Sequence, residues 1–217
     1  MVEHVYIRAQ AASSVTGVIV ATDDIRIYDA VRAFGGEARL TKEHHRSGME
    51  RLAEVAPDLS CEYIVNVQGD EPLVSPDTID LVLAALINDR ETQMSTVCCP
   101  ISAAHEISDP NVVKVVTDQA GFALYFSRAP IPSRPPGLPV SRFAHKHIGV
   151  YAYRRTFLLQ LATFPPTPLE TAERLEQMRA IEYGYRIRIV EIAQGPIGVD
   201  TAEDLDRVRR IVSAGTS

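Results

Sequence analysis

Apolar positions along the chain alternate between helical and strand periods, and each switch marks an element. Val2, Val5, Tyr6 and Ala9 recur at helical spacing, so residues 1–12 open the chain as an amphipathic helix. An apolar run at 15–21 reads as a strand and ends in Thr22-Asp23-Asp24, where either aspartate can cap a helix over 25–34. Gly35-Gly36 closes that helix, and 37–40 is a short strand. Ser47 or Gly48 starts a helix that Pro57 stops. Residues 62–67 make a clear strand, a helix runs from Pro76 to about 87, and 93–99 returns to strand.

Beyond Asn111 the pattern turns β-rich. Two runs, 112–117 and 122–127, flank Asp118-Gln119-Ala120-Gly121, which signals a hairpin. Pro130, Pro132, Pro135, Pro136 and Pro139 then exclude regular pairing and predict a loop. A strand follows at 147–153, helices at 155–162 and 172–183, a last strand at 186–192 and a closing helix at 201–212. The sum is one α/β domain over 1–217. It predicts a three-layer arrangement with a mostly parallel sheet and a β-rich insertion at 105–155. Such sheets bind ligands beyond the carboxyl ends of their strands. One feature conflicts with this plan: the chain opens in a helix where such domains open in a strand. Without that strand its neighbours would lose backbone partners.

Composition narrows the function. The net charge of −6 argues against a general nucleic-acid binder. No apolar stretch is long enough for a membrane helix, and no signal peptide is evident, so a cytoplasmic protein is expected. Lys42, Lys114 and Lys146 are the lysines, and arginine supplies the remaining cations. Arginine suits two-pronged contact with carboxylate or phosphate. Cys61, Cys98 and Cys99 lack metal-ligand spacing, and adjacent Cys98 and Cys99 should face opposite sides of a strand.

The candidate chemistry gathers at strand ends. In Gln68-Gly69-Asp70-Glu71-Pro72, Asp70 could hold Mg²⁺ beside substrate phosphates, or simply satisfy amides in a turn. Asp200, in Gly198-Val199-Asp200-Thr201, could be a second metal carboxylate or a helix cap with Glu203, with Thr201 and Asp204 as an alternative cap. Asp23 could meet a nucleotide or cap a helix. Ser47-Gly48 could offer amides to an anion. The adjacent His44 and His45 cannot both face one ligand. Arg128 could clamp an anionic substrate, while His147 could be structural or a ligand contact.

In chain order, several segments carry a resemblance: VATDD at 20–24, HRSGMER at 45–51, VNVQGDEP at 65–72, ALYFSR at 123–128, HIGVY at 147–151, PLE at 168–170, LEQMR at 175–179 and GVDT at 198–201. Together they resemble the 3-deoxy-manno-octulosonate cytidylyltransferases, or CMP-KDO synthetases. The resemblance implies a Rossmann-like nucleotidyltransferase fold and an enzyme that uses CTP and KDO, releases pyrophosphate, serves lipopolysaccharide synthesis and forms a homodimer through its β-rich region. It implies Mg²⁺ on Asp70 and Asp200. It places Ala21, Asp23, Ser47, Gly48 and Gln68 around the nucleotide. Arg128, His147, Tyr151 and Glu176 fall around the sugar, with Arg128 also counted as catalytic.

The sequence also departs from the family pattern. Members begin with a strand and a basic loop of the form I-P-A-R-x-x-S-x-R-L-P-G-K, whereas residues 1–5 match the helix after it. Met49 replaces a usual threonine, and an aspartate more often precedes the histidine before Ser-Gly. A start placed too far downstream would explain the first departure. A cytidylyltransferase for another acidic sugar, such as a sialic acid or an amino analogue of KDO, is the alternative. So is a catalytically impaired nucleotide-binding homologue.

Overall fold

The computed structural model describes residues 1–133, 144–199 and 201–214. Pro135, Pro136, Pro139 and Asp200 lie outside the described residues. The chain opens with α1 (Val2–Gln10), β1 (Ile19–Thr22), α2 (Ile25–Ala33), β2 (Glu37–Leu40) and α3 (Gly48–Val55). Asp24 caps α2 by accepting from the Arg26 amide at 2.8 Å, and Gly35 follows that helix at φ +83°, where a side chain would be strained. β3 (Tyr63–Val67), α4 (Pro76–Ile87) and β4 (Met94–Pro100) come next. The predicted hairpin is β5 (Lys114–Thr117) and β6 (Ala123–Ser127), with Gly121 at φ +79° in its turn.

β7 (His145–Arg154) is the axis of the fold. It pairs antiparallel with β4 along one edge. Its other edge takes β5 at His145 and Lys146, then β3 from Val150 to Arg154. β8 (Ile187–Glu191) adds parallel to β4. The sheet is therefore mixed, because the β-rich insertion enters the main sheet between β3 and β4 instead of standing beside it. β1 and β2 pair parallel in a separate two-stranded sheet.

Side chains on the two faces of the main sheet build two cores. Tyr151 and Tyr153 face one side with Met94, Cys98, Phe157 and Leu161, covered by α3, α5 (Arg155–Thr163) and α7 (Met178–Glu182). Ile148, Val150 and Ala152 face the other with Cys99, Ile79, Val82 and Leu86, covered by α1 and α4. The neighbouring cysteines thus part to opposite faces, as strand alternation requires.

Two differences from the sequence reading bear on the site. The helix expected over 172–183 is two helices, α6 (Pro168–Glu173) and α7, with Leu175-Glu176-Gln177 between them. Arg174 breaks the helix at φ 54°, a left-handed conformation that costs a non-glycine residue about 1–2 kcal/mol. The second difference is a bulge. Thr96 pairs with Tyr151 but Val97 pairs with Ile148, so β7 carries two extra residues, Gly149 and Val150, at this step of the β4 ladder. An insertion of two keeps the facing of the flanking side chains in phase, yet brings the His147 and Tyr151 rings to 5.4 Å.

Candidate active site

An open cleft of about 1600 Å³ lies across the ends of β3, β4 and β7. It brings together Ser47, Gly48, Gln68, Asp70, Arg128, His147, Tyr151 and Glu176. Ala21 and Asp23 stand apart from its described lining, at the end of β1, where Asp23 accepts from Arg51 at 3.1 Å.

The β3 end supplies the floor. Gln68 lies between two glycines: a Cβ on Gly149 would come within 3.3 Å of its Cγ, and one on Gly48 within 3.7 Å of its Nε2. The bulge at Gly149 therefore lets the Gln68 side chain lie against bare backbone. Beside it, Asn66 is buried and its Nδ2 has no hydrogen-bond partner among the described residues. Just beyond, the Asp70 carbonyl accepts from the Val199 amide at 2.9 Å. A Cβ on Gly198 would lie 3.5 Å from Glu71 Oε1, so the 198–199 segment packs directly against Asp70-Glu71. The cap of α8 (Ala202–Ala214) is the reciprocal pair of Thr201 and Asp204: the Asp204 amide donates to Thr201 Oγ1 at 3.2 Å, and the Thr201 amide to Asp204 Oδ2 at 3.0 Å. This was the alternative cap in the sequence reading.

Ser47 caps α3, accepting from the Glu50 amide at 3.2 Å. The acceptor at this helix start is internal: Glu176 Oε2 accepts from the Met49 amide at 3.0 Å. Burial pushes the Glu176 carboxyl up, against the opposing pull of that amide and the Ser47 hydroxyl. Behind Glu176, fully buried Arg179 donates to Glu170 at 2.6 and 2.7 Å and to Glu50 at 3.3 Å. Glu50 in turn accepts from the Arg46 amide at 3.0 Å. One guanidinium thus ties α3 to both halves of the broken helix. Of the two adjacent histidines, His44 is exposed and His45 is bonded to Glu54, with their rings 5.2 Å apart.

On the opposite wall, Thr96 donates to the Val150 carbonyl at 2.8 Å, so its oxygen accepts from His147 Nε2–H at 2.9 Å. His147 Nδ1 remains the acceptor. Burial holds this imidazole down at about 3, so it is neutral at physiological pH. The Tyr151 hydroxyl donates to Gln177 Oε1 at 3.2 Å, and burial keeps the phenol well above its usual range. Gln177 is buried and its Nε2 has no partner among the described residues. Orphaned buried donors of this kind are uncommon and mark a place where a ligand acceptor fits. Helical patterning over 172–183 gave no reason to single out Gln177. The available signal was its place in the LEQMR segment beside Glu176.

Arg128 donates through Nε to the Glu173 carbonyl and through Nη1 to the Pro110 carbonyl, both at 2.9 Å. Lys146 at the rim meets Glu106 at 3.5 Å. Among the described residues, no group of three or more His, Cys, Asp or Glu side chains is arranged to hold a metal ion, and no helix is long and apolar enough to cross a membrane. The cleft joins cations, neutral hydrogen-bonding groups and an acidic edge, a lining suited to a large polar anion.

A family profile described as Cytidylyltransferase matches residues 1–189. The 3-deoxy-manno-octulosonate cytidylyltransferase of Solibacter usitatus is 51% identical over 215 residues, 99% of this chain and 84% of that protein. The enzyme of the same name from Geotalea daltonii is 52% identical over 217 residues, 96% of this chain and 86% of that one. A solved structure of CMP:2-keto-3-deoxy-manno-octonic acid synthetase complexed with CTP superposes with a TM-score of 0.90 at 41% identity, over 99% of this chain and 88% of that one. At 12% identity, 4-diphosphocytidyl-2C-methyl-D-erythritol synthase from Anaerococcus prevotii shares the fold, with a TM-score of 0.63 over 98% and 89% of the two chains.

Proposed function

This chain belongs to the cytidylyltransferase family, and from that membership we propose that it joins CMP from CTP to 3-deoxy-D-manno-octulosonate, releasing pyrophosphate, as a step of lipopolysaccharide synthesis. The C2 hydroxyl of the sugar acid attacks the α-phosphorus, and pyrophosphate leaves in line. Little covalent work falls to the protein, whose task is alignment and charge stabilisation.

On the nucleotide side, Ser47, Gly48 and Gln68 line the floor beside the Asn66 amide, which has no partner among the described residues, with Ala21 and Asp23 beyond that lining at the end of β1. On the sugar side, Arg128 meets the carboxylate. Neutral His147 accepts from a hydroxyl through Nδ1, and Tyr151, Gln177 and Glu176 orient the rest. Mg²⁺, held by Asp70 and Asp200, would neutralise charge on the phosphate oxygens. The donor set fits that ion, which takes one or two carboxylates and completes its shell with water and phosphate. The observation that carries this reading is the bond from the Val199 amide to the Asp70 carbonyl, which ties two distant acidic segments at the cleft edge. The same reading has two copies of the chain meeting through the β-rich region, where β6 exposes Leu124.

Pyrophosphate release from CTP, KDO and Mg²⁺ tests the proposal, with sialic acid and 8-amino-KDO as competing acceptors. Asp70→Ala should retain the fold by circular dichroism and lose turnover by roughly a hundredfold or more. Near-normal turnover would refute the metal role.

A further inference from the structure

Lys114, the first residue of β5, is fully buried. Its ammonium group donates to three backbone carbonyls: Asp109 at 2.9 Å, Val112 at 2.7 Å and Arg128 at 2.6 Å. Three donors meet three acceptors, so the whole hydrogen-bonding capacity of the group goes into main chain. Such an arrangement is unusual for lysine, which is rarely buried without an anion.

Those three carbonyls belong to two segments, the 109–112 turn and the end of β6. Arg128 uses both. Its own carbonyl is one of the three, and its Nη1 bonds to Pro110 within the same turn. Its amide and Nε are fixed from a third direction by Glu173, at 2.9 Å each. From these contacts we infer that Lys114 is a positioning residue, whose ammonium pins the turn and strand end that aim the Arg128 guanidinium into the cleft. The assignment rests on the sugar-side role of Arg128 in the function proposed above.

Lys114 is not part of the described lining of the cleft. Its desolvation lowers its affinity for a proton, a cost that Asp109 and Glu173 partly offset. A methionine in its place would pack equally well in a purely structural role. It would leave three carbonyls without their donor and free the turn.

Steady-state kinetics with CTP and KDO test the inference on wild type, Lys114→Met, Arg128→Ala and the double variant. Lys114→Met should raise KM for KDO at least tenfold and leave KM for CTP within twofold. In the Arg128→Ala background the same substitution should change KM for KDO less than twofold, since a residue acting through another is non-additive with it. Equal effects on both substrates, or full additivity, would overturn the assignment. Lys114→Gln carries the same comparison if the methionine variant does not fold. Wild-type protein that does not turn over KDO would count against the proposed function alone. The placement of Arg128 is then read from its reaction with phenylglyoxal, followed by mass spectrometry. Lys114→Met should accelerate that reaction, and an unchanged rate would sink the inference.

Discussion

Glu176 shows how burying one carboxyl at the proposed sugar site bears on stability. Its carboxylate is buried on the amide end of α3, and burial raises its pKa despite the Met49 amide. A group whose folded pKa is raised contributes stability at low pH and loses it as pH climbs past the ordinary glutamate range. Once ionised, the group therefore weakens the ligand-free fold. Glu176→Gln keeps an acceptor for the Met49 amide and removes the charge. By calorimetry, its Tm should exceed that of wild type at pH 8 and converge with it near pH 4. Its kcat/KM for the sugar should fall roughly 10–100-fold, the worth of a hydrogen bond to a charged group. A variant no more stable than wild type at pH 8 would place the charge in an environment better solvated than the structure indicates.

At the scale of elements, the junction between α6 and α7 governs the site. Arg179 lies under that junction and bonds Glu170 on one side and Glu50 of α3 on the other. Removing one member of a buried ionic set commonly costs about 3–5 kcal/mol. Arg179→Met should lose that much by urea unfolding. It should also raise KM for both substrates, because Ser47-Gly48 and Glu176 are held through the same guanidinium; unchanged KM values would mean that the network serves stability alone. This junction was hidden in the sequence. Ala172, Glu173, Arg174, Leu175 and Met178 all favour helix, and nothing local asks for a break at Arg174. The demand is tertiary: Glu176 and Gln177 must turn into the cleft. The bulge at Gly149 was hidden for a similar reason, since an insertion of two leaves the alternation of β7 undisturbed. Where local chemistry and fold agree, the elements were legible. Asp24 caps α2, Ser47 caps α3, and Asp118–Gly121 turns a hairpin. For the cap of α8 the pattern left a choice between Asp200 with Glu203 and Thr201 with Asp204; the second pair forms, and Asp200 lies outside the described residues.

In the whole molecule, the sheet comes in two parts. The six-stranded part is a continuous ladder with a core on each face. Among the described residues, the β1–β2 part, with α2, joins no ladder of the larger one. Side chains hold it: the Tyr6 hydroxyl accepts from the Glu37 amide at 3.2 Å, Arg39 meets Asp58 at 3.2 Å, and Arg51 reaches Asp23 at 3.1 Å. Ion pairs with exposed partners contribute about 0–1 kcal/mol each. Amide protons of β1 and β2 should therefore swap for deuterium through small, local openings, while those of β4 and β7 wait for the whole molecule to open. In that case β1 and β2 should become fully deuterated well before β7; equal rates in both parts would show that they open as a single unit. Because Ala21 and Asp23 sit on the looser part and Gln68 on the tighter one, a nucleotide spanning both would act as a splint. Its arrival should be visible as slowed labelling far from the phosphates.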